Sequence, residues 1–229
     1  VKSTQRIRPD SVYMVHGFIP RFADVDNYSG SFGFQWNKHG KTQLDSYSGL
    51  DISRRRFFNS TGWANNLSGE LILEAGCGSG RFTEVLLSTG ADIFSFDLSP
   101  AVEANYKNYE GNRRLHLFQG DIYRLPLMEG VFDKIIFFGV LQHTPDPGGA
   151  FRSLIRHLKP GGEIVIDIYA HNFRSYLQWK YYLRPFTRLT NPEKLYLFIE
   201  HSVNYLLPVA VFFRKIFGSA GSRILPIVE

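Results

Sequence analysis

A single cysteine, Cys77, occurs in the 229-residue chain, and that scarcity excludes two designs at once. An intramolecular disulfide needs two thiols, and a multi-cysteine zinc site needs more than one. The same scarcity fits a reducing compartment, so a cytoplasmic protein is expected. Long apolar runs are also lacking. The most apolar stretch, Leu206–Phe213, is far shorter than the ~20 residues of a spanning helix, and no charged-then-apolar leader follows Val1. Neither a transmembrane segment nor a signal peptide is therefore expected, and any contact with lipid would be peripheral. Internal repeats and low-complexity segments do not occur.

Excess charge of one sign is missing from most of the chain. Residues 1–170 carry 18 basic and 18 acidic side chains, whereas residues 171–229 carry eight and three, so the net charge of +5 resides wholly in the last segment. The short runs Arg54–Arg56 and Arg113–Arg114 read as solvated faces, and no nucleic-acid partner is expected. Hydrophobic residues make up 44%, enough at this length for one buried core with extensions.

Three zones emerge. Residues 1–69 form a cover or lid segment. There Ser11–His16 and Phe18–Phe22 read as a short strand pair, Tyr28–Trp36 is a Gly/Ser/aromatic stretch, and a helix begins near Ser53 and stops at Gly62. Residues 70–170 alternate strand and helix. Apolar runs at Leu71–Leu73, Ile93–Phe96, Leu115–Phe118, Ile135–Phe138 and Ile164–Ile168 read as buried parallel strands. Helices are expected from Arg81 to Gly90, from Ser99-Pro100, and from Pro147 to His157. This alternation specifies an α/β fold with an open, mostly parallel sheet and helices on both faces, a Rossmann-like arrangement. Residues 171–229 are helical, basic and aromatic. A helix starts at Asn191-Pro192, sets Leu195, Phe198, Ile199, Val203 and Leu206 on one face, and is expected to end at Pro208.

The chemistry concentrates in Glu74-Ala75-Gly76-Cys77-Gly78-Ser79-Gly80-Arg81, between a buried strand and a helix. Glycines there permit a tight turn and close approach of a ligand to the backbone, and the helix start offers free N–H groups to an anion. A dinucleotide site would want a third glycine where Arg81 stands, and it would set a pyrophosphate beside Glu74. A ligand with an ammonium, a carboxylate and a sulfonium suits Glu74 and the helix start together, and S-adenosylmethionine is such a ligand. Asp97 closes the second strand, 21 positions after Gly76, where an acidic side chain can accept from both ribose hydroxyls. Asp121 and Ile122 follow the third strand, where a carboxylate could accept from an adenine amino group and an apolar side chain could pack on its ring. Taken singly, each aspartate could equally be a turn or helix cap. Together they mark the carboxyl ends of strands, where open α/β sheets bind ligands.

Residues 70–170 resemble the class I S-adenosylmethionine-dependent methyltransferases of the broad small-molecule type. The resemblance is carried by Glu74–Gly80, Phe96–Ser99, Gly120-Asp121-Ile122, Phe132–Ile136, Gly139–His143 and Leu158–Gly162. It implies strand order 3-2-1-4-5 and methyl transfer from S-adenosylmethionine to O, N or C of a small-molecule acceptor. It also implies that Glu74, Ala75, Gly76, Cys77, Gly78 and Gly80 hold the methionine part of the cofactor. Asp97 and Leu98 would lie at the ribose, Asp121 and Ile122 at the adenine, with Gly139 close by. A final antiparallel hairpin is implied too, yet only Arg223–Val228 reads as a further strand after Tyr169, so an incomplete sheet is expected. Upstream, Ile19–Phe22 and Phe32–Trp36 resemble a subset in which a zinc-ribbon-like segment precedes the core. The zinc-binding cysteines are lacking here, and no metal site is expected.

His143, after the fourth strand, could deprotonate an acceptor hydroxyl or amine, or simply shape the pocket mouth. Tyr169 and His171 are weaker versions of the same idea. Phe34 and Trp36 suit either a lid or plain packing. The segment Gly139-Val-Leu-Gln142 lacks the Asn/Asp-Pro-Pro-aromatic sequence of many enzymes that methylate exocyclic amines or glutamine, which argues against those substrates. The aromatic tail suits a substrate lid, a dimer interface or an acidic lipid surface. Rival readings of the whole are a non-catalytic cofactor-binding scaffold or fragment, and an RNA methyltransferase.

Overall fold

The computed structural model describes residues 6–168, except 10, 12, 17, 25, 26, 28 and 29, together with 182, 187 and 189–218. The chain divides into two compact units, Val1–Tyr169 and Ala170–Glu229.

The first unit is built on seven strands: β1 (Met14–His16), β2 (Ile19–Arg21), β3 (Leu71–Ala75), β4 (Asp92–Asp97), β5 (Leu115–Gln119), β6 (Phe132–Phe137) and β7 (Leu158–Ile166). They form one sheet in the order β1-β2-β5-β4-β3-β6-β7. The last five are mutually parallel and reproduce the expected 3-2-1-4-5 order of the central zone. The extra two are an antiparallel hairpin, expected as a pair but not as part of this sheet. Its second strand joins β5 in parallel through Arg21 and Gln119, and the Arg21 side chain bonds both Gln119 and Glu103. Among the described residues no strand follows β7, and Arg223–Val228 lies outside them.

Six helices accompany these strands: α1 (Gly30–Lys38), α2 (Asp45–Ser48), α3 (Ile52–Thr61), α4 (Arg81–Ser88), α5 (Val102–Tyr109) and α6 (Pro147–Ile155). Helix α1 occupies the Gly/Ser/aromatic stretch. Gly33 makes its close seat possible, since a Cβ there would lie 2.6 Å from Pro100 Cδ. Helix α3 ends as the sequence suggests, on a left-handed Gly62 whose N–H returns to the Phe58 carbonyl. The neighbouring arginines are tied into this cover: Arg54 donates to Ser88 and Asn65, and Arg55 to the Asp51 carbonyl.

Side chains alternate across the sheet with period two. Leu73, Phe94, Phe96, Ile135 and Phe137 pack on one face with Leu154 of α6. Ile72, Ile93 and Ile136 pack on the other with Phe57 of α3 and Leu86 of α4. Because Glu74 and Ser95 share the parity of Ile72 and Ile93, their side chains turn toward the α4 face.

In the second unit, α7 (Pro192–Phe217) starts where Asn191 accepts from the N–H groups of Glu193 and Lys194. The expected stop at Pro208 is corrected: the helix continues through it to Phe217. Proline withholds its own N–H and its ring crowds the carbonyl four residues back, yet the helix runs on through it. The expectation of no membrane-spanning length is corrected with it. Glu193–Phe217 is long and apolar enough to cross a membrane by length and composition, and almost none of it is covered.

Candidate cofactor site

The β3–α4 loop sits at the carboxyl end of the sheet. Gly76 and Gly78 both have left-handed backbone, φ 75° and 53°, which side chains rarely adopt. A Cβ on Gly76 would also overlap Val140. The N–H groups of Gly76 and Cys77 both donate to the Phe96 carbonyl, at 2.8 and 3.0 Å, so the loop is strapped to the end of β4. Asp97 completes the strap: Oδ2 accepts from Gly78 N–H at 2.9 Å, and Oδ1 accepts from Ser99 N–H and Oγ at 2.8 and 2.7 Å. Burial pushes its carboxyl up, while the Ser99 and Gly78 donors pull the other way.

A cavity of about 380 Å³ opens over this loop, within the ~300–1,000 Å³ of small-molecule sites. Of the expected site residues, Gly76, Cys77, Gly78, Asp97, Leu98, Ile122, Gly139 and His143 line it. Glu74, Ala75, Gly80 and Asp121 do not.

The Glu74 carboxylate instead accepts from Thr83 Oγ1 at 2.6 Å and from Ser95 Oγ, and Asn105 donates to Thr83 at 2.9 Å. It is a buried brace beneath the loop, as its strand parity dictates. Burial pushes its carboxyl up to about 7. Asp121 caps the short turn Ile122–Arg124 by accepting from Tyr123 N–H at 2.9 Å, the alternative its residue type always allowed. Burial, with Glu74 and Asp97 nearby, drives the Cys77 thiol up, so it stays protonated and is no nucleophile.

Sequence reasoning missed much of the opposite wall: Gln35, Gln43, Arg56, Arg81, Phe82 and Thr144 also line the cavity. Arg56 had been grouped with a surface charge run and Arg81 noted only as a missing glycine. Trp36 lines the cavity and stands over Gly78, whereas the Phe34 side chain, Tyr169 and His171 lie outside the described residues. Among the described residues no cluster of His, Cys, Asp or Glu could hold a metal ion.

The cavity fits S-adenosylmethionine on its own terms: a glycine cradle with left-handed backbone at Gly76 and Gly78, no room for a Cβ at Gly76, a carboxylate at the β4 end, and apolar Leu98 and Ile122 beside it. With the parallel sheet, these features are similar to those of class I S-adenosylmethionine-dependent methyltransferase domains. Residues 73–166 match the family model described as a methyltransferase domain. Ubiquinone biosynthesis O-methyltransferase from Aliivibrio fischeri is 30% identical over 117 residues, covering 50% of each chain. The protein of that name from Coxiella burnetii is 32% identical over 113 residues, covering 48% of each. The chain thus spans about half the length of the curated relatives it matches. A solved structure from Methanococcus maripaludis, provisionally described as an S-adenosyl-L-methionine-dependent methyltransferase, shares the fold. It has 20% identity and a TM-score of 0.52, over 78% of this chain and 85% of that one.

Proposed function

We propose that this chain transfers the methyl group of S-adenosylmethionine to an oxygen of a small-molecule acceptor, in a cytoplasmic setting that its composition fits. The observation that carries the reading is the Asp97 carboxylate lining the cavity while strapping the glycine loop to β4. The names of the curated relatives support oxygen as the acceptor atom, ahead of nitrogen or carbon.

When bound, the cofactor supplies a methyl group already activated on a sulfonium, so the protein's task is alignment and exclusion of water. Asp97 would accept from a ribose hydroxyl while keeping its three loop contacts, because a carboxylate offers about four acceptor positions. Ile122 would pack on the adenine, and Gly76, Gly78 and Gly139 would bring backbone close to the methionine part. Trp36 would cover the site from above. His143, exposed at the cavity wall, would take the proton of an acceptor hydroxyl.

Calorimetry with S-adenosylhomocysteine tests the reading. Micromolar binding that Asp97→Ala weakens about tenfold or more supports it, whereas a folded chain that binds no S-adenosylhomocysteine refutes it. His143→Ala should then lower methyl transfer about 100-fold while leaving that binding intact. An unchanged rate would remove the histidine from the mechanism.

A further inference from the structure

Helix α7 presents three different sides. Phe198, Tyr205, Val209, Phe212 and Ile216 follow one another at intervals of seven, four, three and four residues, so they form one stripe along the helix. Each is between 41% and 78% exposed. Glu193, Glu200, Asn204 and Lys215 form a second, polar stripe, and all four are exposed. On the third side Ala210 is buried, with Leu206 and Phe213 partly so. The aromatic stripe is therefore not the side by which the helix packs.

We propose that α7 docks this protein on an anionic lipid bilayer, lying in the plane of the interface with the stripe from Phe198 to Ile216 among the acyl chains. Charge selects the occupant. The whole net charge of +5 falls in residues 171–229, which complements negatively charged headgroups, whereas a second copy of this chain would bring the same positive charge to the contact. Lys194 and Lys215 are exposed near the two ends of the helix, where long stems can lie on apolar surface while the ammonium groups reach the headgroups. The polar stripe sets the orientation. The helix is long enough to cross a bilayer, but crossing would draw Glu200 and Asn204 toward the hydrocarbon, where a carboxylate is strongly disfavoured. Lying flat leaves that stripe in water. The inference is independent of the cofactor reading, whose cavity lies on the first unit.

Co-sedimentation of the whole chain with preformed vesicles tests it. Vesicles of phosphatidylcholine mixed with phosphatidylglycerol should carry the protein down, and phosphatidylcholine alone should carry about tenfold less. Phe198→Ser and Phe212→Ser should each weaken partitioning about tenfold while keeping the circular dichroism of the wild type. Lys194→Gln and Lys215→Gln should each weaken it about fivefold. Alkaline carbonate should release the bound protein. Equal partitioning onto both kinds of vesicle, or onto neither, would overturn the proposal. Protein that carbonate cannot release would overturn it in favour of a spanning helix. A dimer in sedimentation equilibrium that Phe212→Ser dissociates, with no partitioning onto vesicles, would overturn it in favour of self-association.

Discussion

Strand β3 and helix α7 are both rich in apolar side chains, and they differ in what covers them. From Ile72 to Ala75 no residue of β3 is more than 2% exposed, because helices pack on both faces of the sheet. In α7, Ala210 is buried, but Phe198 is 70% exposed, Tyr205 78% and Phe212 59%. Apolar content alone does not make a core; a second layer does. The cofactor cavity lies wholly on residues of the first unit, where two layers meet, and its loop is hydrogen-bonded to the end of β4.

The contrast can be tested by substitution. Leu73→Ala, at a fully buried position, should cost about 2–5 kcal/mol in urea unfolding, through lost burial and the cavity left behind. Glu74→Gln should act through pH. The folded state holds the Glu74 carboxyl up near 7 against an ordinary 4.5, so it binds that proton more tightly than the unfolded chain does. Stability therefore falls as pH rises through this window and stays low above it, a loss on the order of 3 kcal/mol. The glutamine variant should show no such decline between these two values. A wild-type profile that is flat there would mean that the network under the loop is not dry. Phe212→Ala should change stability by no more than about 0.5 kcal/mol. A loss matching that of Leu73→Ala would show α7 covered in solution and abolish the distinction.

Much of the first unit was legible in the sequence because its signals are local. The five central apolar runs and the Gly62 stop each depend on a few neighbouring residues, and the parallel order of the runs follows from the βαβ alternation. What escaped depends on distant partners or direction. The seat of the hairpin on β5 is a pairing across about a hundred positions. The helix at Gly30–Lys38 is hidden by its own glycines, one of which exists for contact with Pro100. The place of Arg56 in the cavity wall goes with an ion pair to Asp167, far along the chain. Glu74 is a different case: counting by twos along β3 from Ile72 sets its side chain on the α4 face, where Thr83 and Ser95 engage it. The helix through Pro208 also escaped, because an interior proline kinks a helix as often as it ends one.

The N-terminal hairpin has a consequence for how the chain behaves in a crowd. Without it, β5 would end the sheet with a five-residue row of open backbone groups, a template for another molecule to zip onto. Joining β2 there, through the Arg21–Gln119 pair, closes the carboxyl end of that row and places β1, only three residues long, outside it. On this side of the sheet a neighbouring chain finds a shorter ladder to extend.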